Sequence, residues 1–322
     1  MKKWVVGIAL VLALVLGIGI WSRAGAGRTS HDNRLTVGVS LLTLTNPFFK
    51  EIEIAMHAEA AKHGIEVLVT SGEFDVARQR NQVNDFIIRD VDAIVLVPCD
   101  SRAIGTSIAE ANRAGIPVLT ADIAALSTNA KVLSHIATDN LGGGREAAKA
   151  MIEALDGRGK VAILDFPEVE SVLLRTKGFE EVIRQHNETG PGRIEVVAKL
   201  PGGGAKDKSY KAAEDVIQAH PDLDGIFAIN DPSALGAVAA LEKAGRQAQV
   251  KVIGFDGMPE GRQAIREGKV YADPVQFPDR IGRTTIQTIA QYLAGEDVPA
   301  ETLIPTALYR KADAEKDETL KP

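Results

Sequence analysis

Residues 35–64 read LTVGVSLLTLTNPFFKEIEIAMHAEAAKHG, and this run decides the fold. Leu35–Leu42 is short, apolar and lacks polar alternation, the pattern of a strand buried on both faces of a parallel sheet. Asn46 then offers a side-chain oxygen where a helix would begin, and Pro47 suits the first helical position. The helical pattern runs from Pro47 to His63 and meets Gly64, a C-terminal stop. One strand, one loop and one helix make a βα unit.

The unit recurs along the chain. Further strands are expected at Glu66–Thr70, Ala93–Val97, Pro117–Ala121, Lys160–Leu164, Glu195–Lys199, Gly225–Ile229, Lys251–Gly254 and Tyr271–Val275. Helical patterns lie between them at Asp75–Arg89, Ser101–Ala114, Gly143–Leu155 and Asp207–Ala219. Gly115, Gly245 and Gly268 close other helices. Such alternation predicts an α/β, doubly wound architecture. So many units exceed one comfortable sheet, so two βα lobes are expected. The first ends near Ser134–Asp139, where His-Ile-Ala-Thr-Asp interrupts the alternation. A last helix near Pro278–Ala294 returns to the first lobe. The charged tail, Lys311–Pro322, lacks an apolar period and is expected to fray.

The N-terminus differs from this body. Lys2 and Lys3 precede an apolar run from Trp4 to Trp21, then Ala24-Gly25-Ala26. That order predicts a signal peptide over residues 1–26, and an uncleaved anchor is the alternative. Cleavage would remove Lys2, Lys3 and Arg23 and no acid, taking the formal charge from -6 to -9. Either way the body is expected outside the cytoplasm. An acidic balance argues against a nucleic-acid partner. The one cysteine, Cys99, cannot form an internal disulfide and reads as a small residue at a strand end.

In open parallel sheets, ligands sit outside the carboxyl ends of the strands. The residues found there are Asn46, Phe48 and Phe49 after the first strand, Asp122 after the fourth, and Asn230, Asp256 and Gln276 after later ones. Arg175 stands on the helix that follows Lys160–Leu164. Asp, Asn, Arg and Gln supply donors and acceptors in planar forks, which can saturate a row of hydroxyls. Each also has a plainer reading. Asn46 and Asn230 could only cap helices, the two phenylalanines could be core, Asp122 and Asp256 could be solvated turns, and Arg175 could pair on the surface with Glu180 or Asp165.

Enzyme signatures do not emerge. No Gly-x-Gly-x-x-Gly follows the first strand, and neither Gly142-Gly-Gly144 nor Gly202-Gly-Gly204 has phosphate-loop spacing. These glycines read as turns or close packing. The six histidines show no metal-ligand spacing. Neither a cofactor nor a metal is expected.

The chain resembles the periplasmic sugar-binding proteins of the ribose-binding type, which serve ABC importers. The resemblance runs from about Thr36 to Leu308. It rests on Asn46-Pro-Phe-Phe49, Gly115-Ile-Pro-Val, Ser134-His-Ile-Ala-Thr-Asp-Asn140, Ala219-His-Pro-Asp222, Phe227-Ala-Ile-Asn-Asp231, Ala234-Leu-Gly-Ala237, Val252-Ile-Gly-Phe-Asp-Gly257 and Gln276-Phe-Pro-Asp279, in this order and spacing. It implies two doubly wound parallel-sheet lobes joined by three crossover strands, the type I periplasmic binding protein fold. Crossings fall near Thr138-Asp139, Gln276-Phe277 and Pro305-Thr306. The lobes would comprise 34–138 plus 277–305, and 139–276 plus 306–322.

By the same resemblance, Asn46, Asp122, Arg175, Asn230, Asp256 and Gln276 fall on sugar hydrogen-bonding positions. Phe48 and Phe49 fall on ring-stacking positions, and Phe255 lines the same pocket. Two departures stand out. The family's ribose binders carry Arg directly after the Asp that Asp122 matches, where this chain has Ile123. They also carry an aromatic clamp where this chain has Gly202-Gly203-Gly204, a space that Phe166 could refill. Losing a bidentate donor and a stacking face would weaken a pentose pocket or reshape it for another small monosaccharide or polyol.

The implied protein is a monomer in the periplasm that delivers a small sugar to a membrane ABC permease. An alternative client is a chemoreceptor or sensor kinase that reads a sugar or a signal furanose. A sugar-responsive repressor shares the lobed core, but it would need a helix-turn-helix where this chain has its apolar leader.

Overall fold

A computed structural model describes residues 34–320; the expected leader, residues 1–26, lies outside them. The first sheet takes β1 (Thr36–Leu41), β2 (Glu66–Ser71), β3 (Ala93–Leu96), β4 (Val118–Ala121) and β5 (Ser134–Thr138), and later β11 (Glu301–Ile304). Its order is β11-β5-β4-β3-β1-β2, all parallel. The second sheet takes β6 (Gly159–Asp165), β7 (Ile194–Pro201), β8 (Gly225–Ala228), β9 (Lys251–Ile253), β10 (Ala272–Val275) and β12 (Ala307–Arg310), in the order β12-β10-β9-β8-β6-β7. β12 runs antiparallel to β10, so this sheet is not wholly parallel as expected. The chain reaches β12 directly from β11, across Pro305-Thr306, and so enters the edge from the crossing side.

The central strands are apolar on both faces because helices cover both. α1 (Pro47–Lys62) lies on one face of the first sheet, and α2 (Val76–Ile88) and α3 (Gly105–Arg113) on the other. On the second sheet, α4 (Asn140–Ala154) and α5 (Glu170–Thr189) cover one face. α6 (Lys206–Ala219), α7 (Asp231–Ala244) and α8 (Pro259–Arg266) cover the other. α9 (Pro278–Leu293) packs beside α1, on the first lobe. The chain passes between the sheets after β5, after β10 and after β11.

Two glycine runs work by close approach and turning. A Cβ on Gly144 would lie 2.0 Å from the Arg175 carbonyl oxygen, so α4 and α5 pack backbone to backbone there. Gly203 and Gly204 hold φ of 58° and 64°, the left-handed region that glycine enters without strain.

The tail does not fray as expected. β12 leads into a short helix, α10 (Lys311–Ala314), and Ala314 and Leu320 are buried against the second lobe. Asp317 accepts hydrogen bonds from Tyr309 (2.9 Å) and Arg262 (3.4 Å). A few apolar anchors with ion pairs hold a segment whose sequence shows no period.

Candidate ligand-binding cleft

The carboxyl ends of both sheets face one another across a cleft. On the first lobe, Asn46 has extended backbone, and its Oδ1 accepts from the Phe48 amide at 3.0 Å. The cap therefore holds the start of α1 where Phe48 and Phe49 reach the cleft, their rings edge to face at 5.3 Å. Asp122 follows β4, its amide donating to Ile136 O at 2.8 Å. On the second lobe, Asn230 caps α7 through Ser233 N–H (2.9 Å) and donates to Gly204 O (3.0 Å). Asp256 follows β9 and Gln276 follows β10, the two strand ends joined by the Gln276 amide donating to Asp256 O.

One cavity touches Asn46, Phe48, Phe49, Asp122, Arg175, Asn230, Asp256 and Gln276. Leu42, Phe74, Ile123, Phe166, Val169, Ser171, Val172, Gly204 and Ile229 complete its lining. The empty space, mouth included, is about 400 Å³. Asn46 and Asn230 thus cap helices and line the cleft at once, and Arg175 is buried rather than paired on the surface.

Backbone strain gathers here. Six described residues other than glycine have positive φ, and three of them, Phe74 (61°), Asp122 (61°) and Asp256 (98°), line the cavity. Such conformations cost of order 1–3 kcal/mol each and persist where the surroundings over-determine them.

Arg175 organises the polar wall. Its Nε donates to Asn140 Oδ1 (2.8 Å), and its Nη1 donates to Ile229 O (2.7 Å) and Asp256 Oδ1 (3.3 Å). Gln276 Nε2 donates to the same Asp256 oxygen at 2.7 Å. Two buried oxygens, Asp122 Oδ1 and Gln276 Oε1, have no hydrogen-bond partner among the described residues. Burial pushes the Asp122 carboxyl up to about 7, only partly opposed by Arg175. Burial also raises Asp256, opposed by Arg175 and by the Gln276 amide.

Phe255 departs from expectation. It is fully buried and does not line the cavity. The Asp256 carboxylate reaches the cleft, and Phe255 lies beneath the polar wall. Its ring lies 3.9 Å from the Arg175 guanidinium carbon and supports that side chain from behind. Phe166 does line the cavity, beside Gly204, and its ring meets Phe74 of the other lobe at 6.2 Å. The lobes also bond directly: the Ser101 amide donates to Glu168 O (3.0 Å), and Ser101 Oγ accepts from the Glu170 amide (2.9 Å). Cys99 is buried with its thiol pushed up to about 12 by burial, which fits a packing role.

Asn140 and Phe74 were not anticipated. Asn140 follows β5, whose Ser134 and His135 break the apolar run that marks the other strands. Phe74 follows β2, whose loop carries no turn signal beyond Gly72.

The sequence profile of the periplasmic binding protein domain matches residues 37–297. The chain belongs to the periplasmic binding protein family. Within that family it is similar to the ribose import binding protein of Escherichia coli K12, at 32% identity over 92% of this chain and 97% of the relative. It is also similar to a xylitol-binding protein of Mycolicibacterium smegmatis, at 30% identity over 83% of this chain and 75% of the relative. Among solved structures, an ABC transporter solute-binding protein from Mycobacterium smegmatis with bound glycerol superposes with a TM-score of 0.81. It is 32% identical and covers 88% of this chain and 96% of that one. This chain is a binding protein, not an enzyme.

Proposed function

We propose that this chain binds one small neutral polyhydroxy compound, a monosaccharide or polyol, by closing its two lobes, and hands it to a membrane ABC importer. The reading rests above all on the two partnerless buried acceptors, Asp122 Oδ1 and Gln276 Oε1, lining a cleft shared by both lobes. A buried polar group without a partner is costly, and hydroxyl donors from a ligand would relieve both sites. Asn46, Asp122, Arg175, Asn230, Asp256 and Gln276 are the proposed hydrogen-bonding set. Phe48 and Phe49 would cover the C–H faces of the ligand.

The proposed lobes are 34–138 plus 277–305, and 139–276 plus 306–322. Because each contributes to one ligand, the bridging contacts exist only on closure, and the ligand shifts the population by its differential affinity. The expected leader and the periplasmic family support an exported location. Ile123 supplies no donor beside Asp122, and Phe166 rather than a residue of the glycine turn supplies the aromatic face. Both features reshape a ribose-type pocket, and the ligands named for the relatives, ribose, xylitol and glycerol, favour a pentose or a small polyol.

A thermal-shift screen against pentoses, hexoses, pentitols and inositols tests this. A ligand at 100 times its Kd should add about 2.7 kcal/mol by mass action, a rise of several degrees in Tm. A flat response to every polyhydroxy compound, with a rise for amino acids or other solutes, would overturn the reading.

A further inference from the structure

We propose that Asn140 is a positioning residue that ties the Arg175 guanidinium to the first crossing between the lobes. The proposal builds on the reading of the cleft above. Asn140 is the first residue of α4, in the second lobe, and is 1% exposed. Its Nδ2 donates to Thr138 O at 3.1 Å, and Thr138 ends β5 of the first lobe's sheet. Its Oδ1 accepts from Arg175 Nε at 2.8 Å. The amide cannot be turned over: a carbonyl only accepts and a guanidinium only donates.

The two bonds therefore span the crossing at Asp139. Asp139 is itself held by its amide donating to Ile304 O (2.9 Å), at the end of β11, where the chain crosses for the third time. From Arg175 the line continues through Asp256 Oδ1 to Gln276, at the second crossing. A guanidinium fixed at Nε by Asn140 and at Nη1 by Ile229 O has its plane set. Any rotation about Asp139 moves Thr138 O relative to the Asn140 amide. The orientation of Arg175 in the cleft and the angle between the lobes are thereby coupled through one side chain.

The test reads Arg175 directly in the full chain. In ¹H–¹⁵N spectra, the Arg175 Nε–H resonance, assigned by its loss in Arg175→Lys, should exchange slowly with solvent. Asn140→Ala should make it exchange fast, and Asn140→Asp, which keeps an acceptor, should restore protection. In titrations with D-ribose as probe, Asn140→Ala should raise Kd roughly tenfold, the low end for a hydrogen bond to a charged group. In the Arg175→Lys background the same change should cost less than about twofold, because coupled residues are non-additive. Unchanged Nε–H exchange in Asn140→Ala, or equal losses in both backgrounds, would overturn the proposal. If the wild-type chain fails to bind D-ribose, the ligand reading suffers, and the Nε–H arm still decides the role of Asn140.

Discussion

Asp122 stands at the end of β4 with a left-handed backbone, a buried carboxylate and no partner for Oδ1. Its carboxyl is held up at about 7, against about 3.9 in an unfolded chain. Between those values the folded chain keeps a proton that the unfolded chain has released. The stabilisation is therefore full below about pH 4 and is lost as pH rises to about 7. Asp231, Asp256 and Asp273, raised chiefly by burial, push the same way. The Tm of the ligand-free protein should fall from pH 5 to pH 8, and Asp122→Asn should make that slope shallower. An identical slope in the variant would remove Asp122 as a source. Ligand affinity should run oppositely, because an ionised carboxylate is the stronger acceptor for a hydroxyl.

At the scale of elements, the cleft depends on how closely α4 and α5 pack. Gly144 lets the Arg175 backbone approach to a distance at which a methyl group would collide with its carbonyl oxygen. Backbone cannot yield as a flexible side chain does, so Gly144→Ala should push α5 outward and carry Arg175 with it. A lower Tm together with weaker ligand binding, measured by calorimetry, is expected. Wild-type affinity in the variant would show that the site tolerates this displacement. Elements also explain what the sequence made legible. The long helices and the Val- and Ile-rich strands β1, β3, β4 and β8 declare themselves through period and composition. β5, β11 and β12 did not: β5 carries Ser134 and His135, and the other two are partly exposed edge strands without a continuous apolar run. Most of the proposed site lies at strand ends, which are predictable places. Asn140 lies behind β5, which gives no strand signal, and Phe255, expected in the pocket by resemblance, sits instead under the Arg175 guanidinium.

Over the whole molecule, two sheets aim their carboxyl ends at one space, and the chain passes between them three times. Neither lobe alone holds the whole proposed site. Asn46, Phe48, Phe49 and Asp122 stand on one, and Arg175, Asn230 and Asp256 on the other, with Gln276 at a crossing. The contacts of Ser101 with Glu168 and Glu170, and of Phe74 with Phe166, join the lobes beside the cleft. A solute held this way should be bound with one-to-one stoichiometry and should need both halves. Isothermal titration of the best ligand from the thermal screen into Asn46→Ala and into Asp256→Ala measures this most directly. The account predicts one site per chain, with each single substitution weakening binding; for Asp256→Ala the loss should be at least about 1.5 kcal/mol, roughly tenfold in Kd. Wild-type affinity in either variant would contradict a ligand shared between the two lobes.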